Sequence, residues 1–306
     1  MTEPLVRIKN LSRYYGDYCA VDGISFDLYP GEVLGFLGPN GAGKSTTMGI
    51  ISGCLAPTRG EVLLNGVDLL KQPGEAKREL GFLPEHPPLY REMKVDEYLR
   101  YCGRLHKITS DRLTEAVERA KQRCGLTDHG GRLIDNLSKG YQQRLGIAQA
   151  IIHDPKVIIL DEPSSGLDPN QIKEIRSLIR ELGKSCAIII STHILPEVEA
   201  ICDRVQILHR GRLVFSEYLE TLNNRESKLL ITLGNPPPID QLQALPGIVS
   251  VEALDEKSYR IMLEAGADPA LIAEASSSNG WLLRQLTPEQ QNLERIFTQL
   301  TTGEAE

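Results

Sequence analysis

The chain has 306 residues, room for one large core and a smaller one, and its 41% hydrophobic, 25% charged composition excludes a largely disordered protein. Its formal net charge of -7 gives no electrostatic reason to expect a nucleic-acid partner. The six cysteines form no C-x-x-C pair, which excludes a zinc ribbon or a disulfide framework and fits a reducing cytosol.

In chain order, the N-terminal stretch Met1 to Arg7 lacks the apolar core of a secretory signal. Runs such as Val157 to Leu160 are too short to cross a bilayer, so any role at a membrane is expected to depend on another polypeptide. Residues 5 to about 215 alternate short β-branched runs with amphipathic helices, the pattern of a mostly parallel sheet covered on both faces. Val33 to Leu37 is continuously apolar, as a parallel strand shielded on both sides must be. Directly after it stand Gly38, Pro39, Asn40, Gly41, Ala42, Gly43, Lys44, Ser45 and Thr46, a full match to G-x-x-x-x-G-K-S between a predicted strand and a helix. The glycines let backbone N–H groups close around a β-phosphate, and a helix starting near Gly43 presents its positive end to it. Lys44 is then the residue to bridge β- and γ-phosphates, and Ser45 the one to ligate magnesium.

Between about 88 and 150 the strand signal disappears. Leu113, Ala116, Val117, Ala120 and Cys124 recur at helical spacing, as do Leu145, Ala148, Ile151 and Ile152, which predicts a helical insertion. Ser138 and Gly140 open a helix predicted from about Tyr141 to Ile152, a second helix N-terminus suited to phosphate. Val157 to Leu160 reads as another buried strand and ends on Asp161 and Glu162; a carboxylate there is costly to bury without a cation. Glu162 is the better placed of the two to polarise an attacking water. A third buried strand, Ala187 to Ser191, precedes His193. After residue 220 come strand candidates at Lys228 to Leu233, Ile248 to Leu254 and Tyr259 to Leu263, with helices near 269–278 and 289–300. They read as a small α+β appendage, giving domains at 1–220 and 221–306.

Leu137-Ser138-Lys139-Gly140-Tyr141-Gln142-Gln143-Arg144, followed by Val157-Ile158-Ile159-Leu160-Asp161-Glu162-Pro163, Ser165-Gly166-Leu167-Asp168 and His193, resembles the signature, Walker B, D-loop and switch-histidine series of the ABC ATPase family over about residues 5 to 215. The resemblance implies a P-loop NTPase of ABC type: a mostly parallel sheet core, an antiparallel β edge subdomain and a helical subdomain over about 88–150. It also implies ATP and magnesium as ligands, with Asp161 holding the metal through water and His193 sensing the γ-phosphate. Ser138 and Gly140 would reach ATP held by a second copy in a head-to-tail dimer, with Asp168 at the nucleotide site. Tyr15 occupies the family's adenine-stacking position, with Tyr14 and Tyr18 as alternatives. The implied setting is the cytoplasmic face of a membrane, through a separate transmembrane permease, with ATP-driven closure of the pair coupled to transport.

Two motifs depart from the family pattern. Glu85, in Gly81-Phe82-Leu83-Pro84-Glu85-His86, stands where a glutamine is usual; its carboxylate can face magnesium but adds negative charge beside a triphosphate. In the signature, Lys139 and Tyr141 replace glycine and glutamine. These variants, and the tail after Leu293, are similar to ABC exporter subunits of the multidrug, sodium and gliding-motility type. Soluble relatives that act on nucleic acid or ribosomes, and a GTPase, are the competing classes; the chain carries one cassette and no N-K-x-D guanine motif.

Overall fold

The computed structural model describes residues 3–224, 228–264, 266–289 and 293–302. Strands β1 (Val6–Tyr15) and β2 (Tyr18–Leu28) form a hairpin whose tip sets Tyr15 opposite Tyr18. β3 (Val33–Leu37) leads through the glycine loop into α1 (Lys44–Ile51), followed by β4 (Arg59–Leu64), β5 (Val67–Asp68), α2 (Pro73–Ala76) and β6 (Leu80–Leu83). Three helices come next, α3 (Val95–Leu105), α4 (Ser110–Cys124) and α5 (Lys139–Ile151), before β7 (Val157–Asp161). Then α6 (Pro169–Gly183), β8 (Ala187–Thr192), α7 (Leu195–Ile201), β9 (Arg204–His209) and β10 (Arg212–Tyr218) bring the chain to the end of the first of two compact units, Met1–Glu217.

In that unit the central sheet has the order β10-β9-β3-β8-β7-β6, and β9, β3, β8, β7 and β6 run parallel. All residues of β3, β7 and β8 are buried, because both faces of the sheet are covered. Strand alternation divides them between two cores. Leu34, Phe36, Ile159 and Ile189 pack on one side with α1 and a second, antiparallel sheet of order β2-β1-β4-β5. Val33, Ile158, Leu160, Ile188 and Ile190 pack on the other side with side chains of α3, α4, α5 and α6. Leu113, Ala116, Val117, Ala120 and Cys124 are all buried on α4, so the predicted helical stripe is its core face. An ion pair from Lys121 to Asp96 at 2.8 Å ties α4 to α3.

The second unit, Tyr218–Glu306, opens with α8 (Leu219–Asn224). It continues as β11 (Lys228–Leu233), α9 (Ile239–Gln243), β12 (Ile248–Ala253), β13 (Ser258–Leu263), α10 (Ala270–Asn279) and β14 (Leu283–Glu289), a β-α-β-β-α-β order. Its antiparallel sheet runs β12-β13-β11-β14, with Leu229, Ile231 and Leu233 of β11 turned into a core that includes Ile261 and Trp281. The helix expected near 289–300 is α11 (Leu293–Thr302), and residues 283–289 are a strand the sequence reading omitted. Pro288 hides that strand from a pattern search, yet β14 lies at a sheet edge, where a residue without an N–H is tolerated. Among the described residues no helix is long and apolar enough to cross a membrane.

Candidate active site

The carboxyl ends of β3, β7 and β8 meet beside the start of α1, where open parallel sheets place their ligand crevices. A cleft of about 380 Å³ there is lined by Tyr15, Tyr18, Asn40, Gly41, Gly43, Lys44, Ser45, Thr46, Glu85, Glu162, Ser165 and His193, with Ala20 on its wall. Gly43 caps α1 with φ 106°, and a Cβ on it would lie 2.5 Å from the Ala20 carbonyl oxygen, so no other residue fits without displacing the loop. The loop therefore brings the free N–H groups of the α1 start to the cleft.

Lys44 is buried, and its ammonium donates to the carbonyls of Gly38 at 2.8 Å and Pro39 at 3.3 Å. Glu162 Oε1 lies 3.7 Å from the same nitrogen. Burial pulls the Lys44 pKa below its ordinary value, against the opposing pull of the Glu162 and Asp161 carboxylates. Asp161 is buried too; desolvation raises its pKa, while hydrogen bonds from Ser191 and Ser45 act the other way. Ser45 Oγ donates to Asp161 Oδ1 at 3.3 Å. Ser191 Oγ donates to the same oxygen and accepts the Glu162 N–H at 3.2 Å.

Glu162 adopts φ 47°, the left-handed region that a side chain rarely enters, at the point where the chain leaves β7. This turn delivers its carboxylate to two partners at once, Lys44 through Oε1 and the half-exposed His193 through Oε2, which accepts from Nδ1 at 2.9 Å. Among the described residues no three His, Cys, Asp or Glu side chains form a metal cage. Ser45 and Asp161 are nonetheless hard oxygen donors beside a phosphate loop, and magnesium is ordinarily held by one or two carboxylates together with phosphate oxygens. The donor set fits that ion, and the glycine loop fits a triphosphate.

Residues 21–165 match the family model described as ABC transporter. The chain is 34% identical over 317 aligned positions to the Bacillus subtilis (strain 168) ABC transporter ATP-binding protein YdbJ, covering 100% of this chain and 98% of that protein. The chain belongs to the ABC transporter ATP-binding protein family. It is also 30% identical to the linearmycin resistance ATP-binding protein LnrL of the same organism, over 97% of this chain and 98% of that one. A solved structure of the ATP-binding subunit of an ABC transporter superposes with a TM-score of 0.65 at 32% identity, covering 72% of this chain and 92% of the other. The protein is thus an ATP-binding subunit of an ABC transporter, and an ATPase.

Within this ABC subunit the structure lines one cleft with most of the expected residues; Gly38, Pro39 and Asp161 bond to its Lys44 and Ser45 without lining it, Ala42 is also absent from the lining, and Asp168, Tyr14, Ser138 and Gly140 stand aside. Tyr15 and Tyr18 both line it, and the Arg13 guanidinium lies 4.6 Å from the Tyr15 ring centroid. Asp168 accepts from the N–H groups of Asn170 and Gln171, capping α6, and is absent from the cleft lining. Tyr14 is likewise absent from it. Ser138 caps α5 by accepting the Tyr141 N–H at 3.4 Å, and Gly140 packs under Gln171; neither lines the phosphate-loop cleft of its own chain. The sequence reading gave neither Ser191 nor Ser165 a role at the site, although Ser165 opens the D-loop motif it quoted. The sequence marks Ser191 only as a polar residue after the apolar run Ala187 to Ile190; its register with Asp161 on the neighbouring parallel strand appears only in the sheet.

Proposed function

We propose that the protein works as a head-to-tail pair of identical chains, each holding ATP in its phosphate-loop cleft and each lending Ser138 and Gly140 to the nucleotide of the other. The supporting observation is that one chain offers two phosphate-suited helix N-termini, at Lys44 and at Ser138, and only the first lines that cleft. Tyr15 stacks the adenine. Lys44, released from the Gly38 and Pro39 carbonyls, places its charge on the phosphates. Glu162 orients and deprotonates the attacking water, and His193 holds that carboxylate and senses the γ-phosphate. Ser45 and Asp161, with Glu85 at the rim, hold magnesium, which when bound neutralises charge on the phosphates.

The cycle drives transport through a separate transmembrane permease, which keeps the subunit at the cytoplasmic face of the membrane. Tyr90 and Tyr101, exposed and 5.6 Å apart between ring centroids, support docking of that partner on the helical subdomain and the segment from Glu85 to Tyr90. The resistance role in the name of LnrL supports export as the direction. The C-terminal unit serves regulation or dimer support. Affinity capture of the tagged full chain from detergent-extracted membranes tests the assignment. Recovery of a polytopic partner supports it, whereas sedimentation with ribosomes or DNA and no membrane partner overturns it.

A further inference from the structure

Glu85 and Lys139, the two charged departures from the family pattern, line one and the same cleft. This second cleft, of about 420 Å³, lies between the segment after β6 and the start of α5, and also takes in Arg91 and Ser165. Glu85 and Ser165 line the phosphate-loop cleft as well, so they stand between the two. Lys139 is the first residue of α5, at the positive end of the helix dipole, where a cation is disfavoured unless an anion compensates it. Its side chain is folded back over Gly166: a Cβ on that glycine, whose φ is 70°, would overlap the ammonium. Lys139 thereby lies against the loop after β7, beside the residue that follows Ser165, in the cleft it shares with Glu85.

The other cations near Glu85 already have carboxylate partners. Arg91 pairs with Asp135 at 3.7 Å, and Lys44 with Glu162 at 3.7 Å. Among the described residues Lys139 makes no ion pair. Glu85 in turn adds an anionic charge to a region that already holds Asp161 and Glu162, and its field acts on both Asp161 and Lys44. Compensation of that charge, rather than a direct bond, is what the shared cleft offers.

We infer that Lys139 is a positioning residue for Glu85: its ammonium offsets and steers the Glu85 carboxylate, so that the two departures work as one unit at the edge of the ATP cleft. The inference rests on the reading of that cleft as an ATP site. The test is a double-mutant cycle in the full chain with Glu85→Gln, Lys139→Gln, their combination and Lys139→Arg. Steady-state hydrolysis is followed across a magnesium titration, alongside binding of a fluorescent ATP analogue. Lys139→Gln should lower turnover about fivefold with Glu85 present and by less than about twofold once Glu85 is Gln, while Lys139→Arg stays within about twofold of the parent. Equal losses from Lys139→Gln in both backgrounds, or an arginine variant as impaired as the glutamine one, would overturn the pairing while analogue binding leaves the ATP reading standing. Failure of the parent chain to bind the analogue would overturn both.

Discussion

Glu162 and His193 are joined by a 2.9 Å hydrogen bond from Nδ1 to Oε2, while the other oxygen of that carboxylate faces Lys44 at 3.7 Å. One strained residue thus connects the strand that ends in Asp161, the phosphate-loop lysine and His193. Among the described residues His193 is the hydrogen-bonding donor on Oε2 and so fixes the direction of this side chain, and orientation is what the base role proposed for Glu162 requires. His193→Ala should lower steady-state phosphate release by about a hundredfold and leave nucleotide affinity near the parental value. Parental turnover would show that Glu162 is oriented by something else.

Gly43→Ala should destroy nucleotide binding. The φ of 106° costs a side chain about 1–3 kcal/mol, and the added Cβ meets the Ala20 carbonyl oxygen at 2.5 Å. Equilibrium binding of labelled ATP, with circular dichroism to follow folding, checks both effects; retained affinity would mean the loop tolerates a different path.

Much of this was legible in the sequence because backbone geometry leaves residue-level marks. Continuous apolar runs gave away β3, β7 and β8, whose two covered faces demand them. The stripe from Leu113 to Cys124 gave away α4. The cleft was legible wherever a motif fixes residue types at fixed spacing, as from Gly38 to Thr46. Ser191 was not, because its role comes from register between strands that are 30 residues apart in the chain, and Asp161 and Ser191 become neighbours only in the sheet. Strand β14 was missed because edge position, not local pattern, is what allows Pro288.

His153 stacks on His106 with centroids 3.7 Å apart, and its Nε2 donates to the Leu80 carbonyl at 3.1 Å. Burial, reinforced by the neighbouring imidazole, pushes its pKa down from 6.5 to about 4. The unfolded chain therefore takes up the proton first, so this contribution to stability is intact above pH 6.5 and is lost as pH falls towards 4. The loss approaches roughly 3 kcal/mol. Urea unfolding at either end of that window should show a drop in midpoint that His153→Asn largely removes; parallel curves for the two proteins would assign the acid sensitivity elsewhere.

Ile261 is fully buried in the second core, beside the chain's single tryptophan, Trp281. Ile261→Ala should destabilise the C-terminal unit by about 2–5 kcal/mol, seen as an earlier denaturant midpoint in tryptophan fluorescence. An unchanged midpoint would mean that this core collapses around the missing methyl groups.

The pairing of chains around ATP is tested most directly by light scattering of Glu162→Gln, which should bind nucleotide without consuming it. With ATP and magnesium the 33.9 kDa mass should double, and adding Ser138→Arg should prevent the doubling although the phosphate loop is untouched. A nucleotide-loaded chain that stays at single mass, or one that doubles equally well with Ser138→Arg, would contradict a site built from two copies.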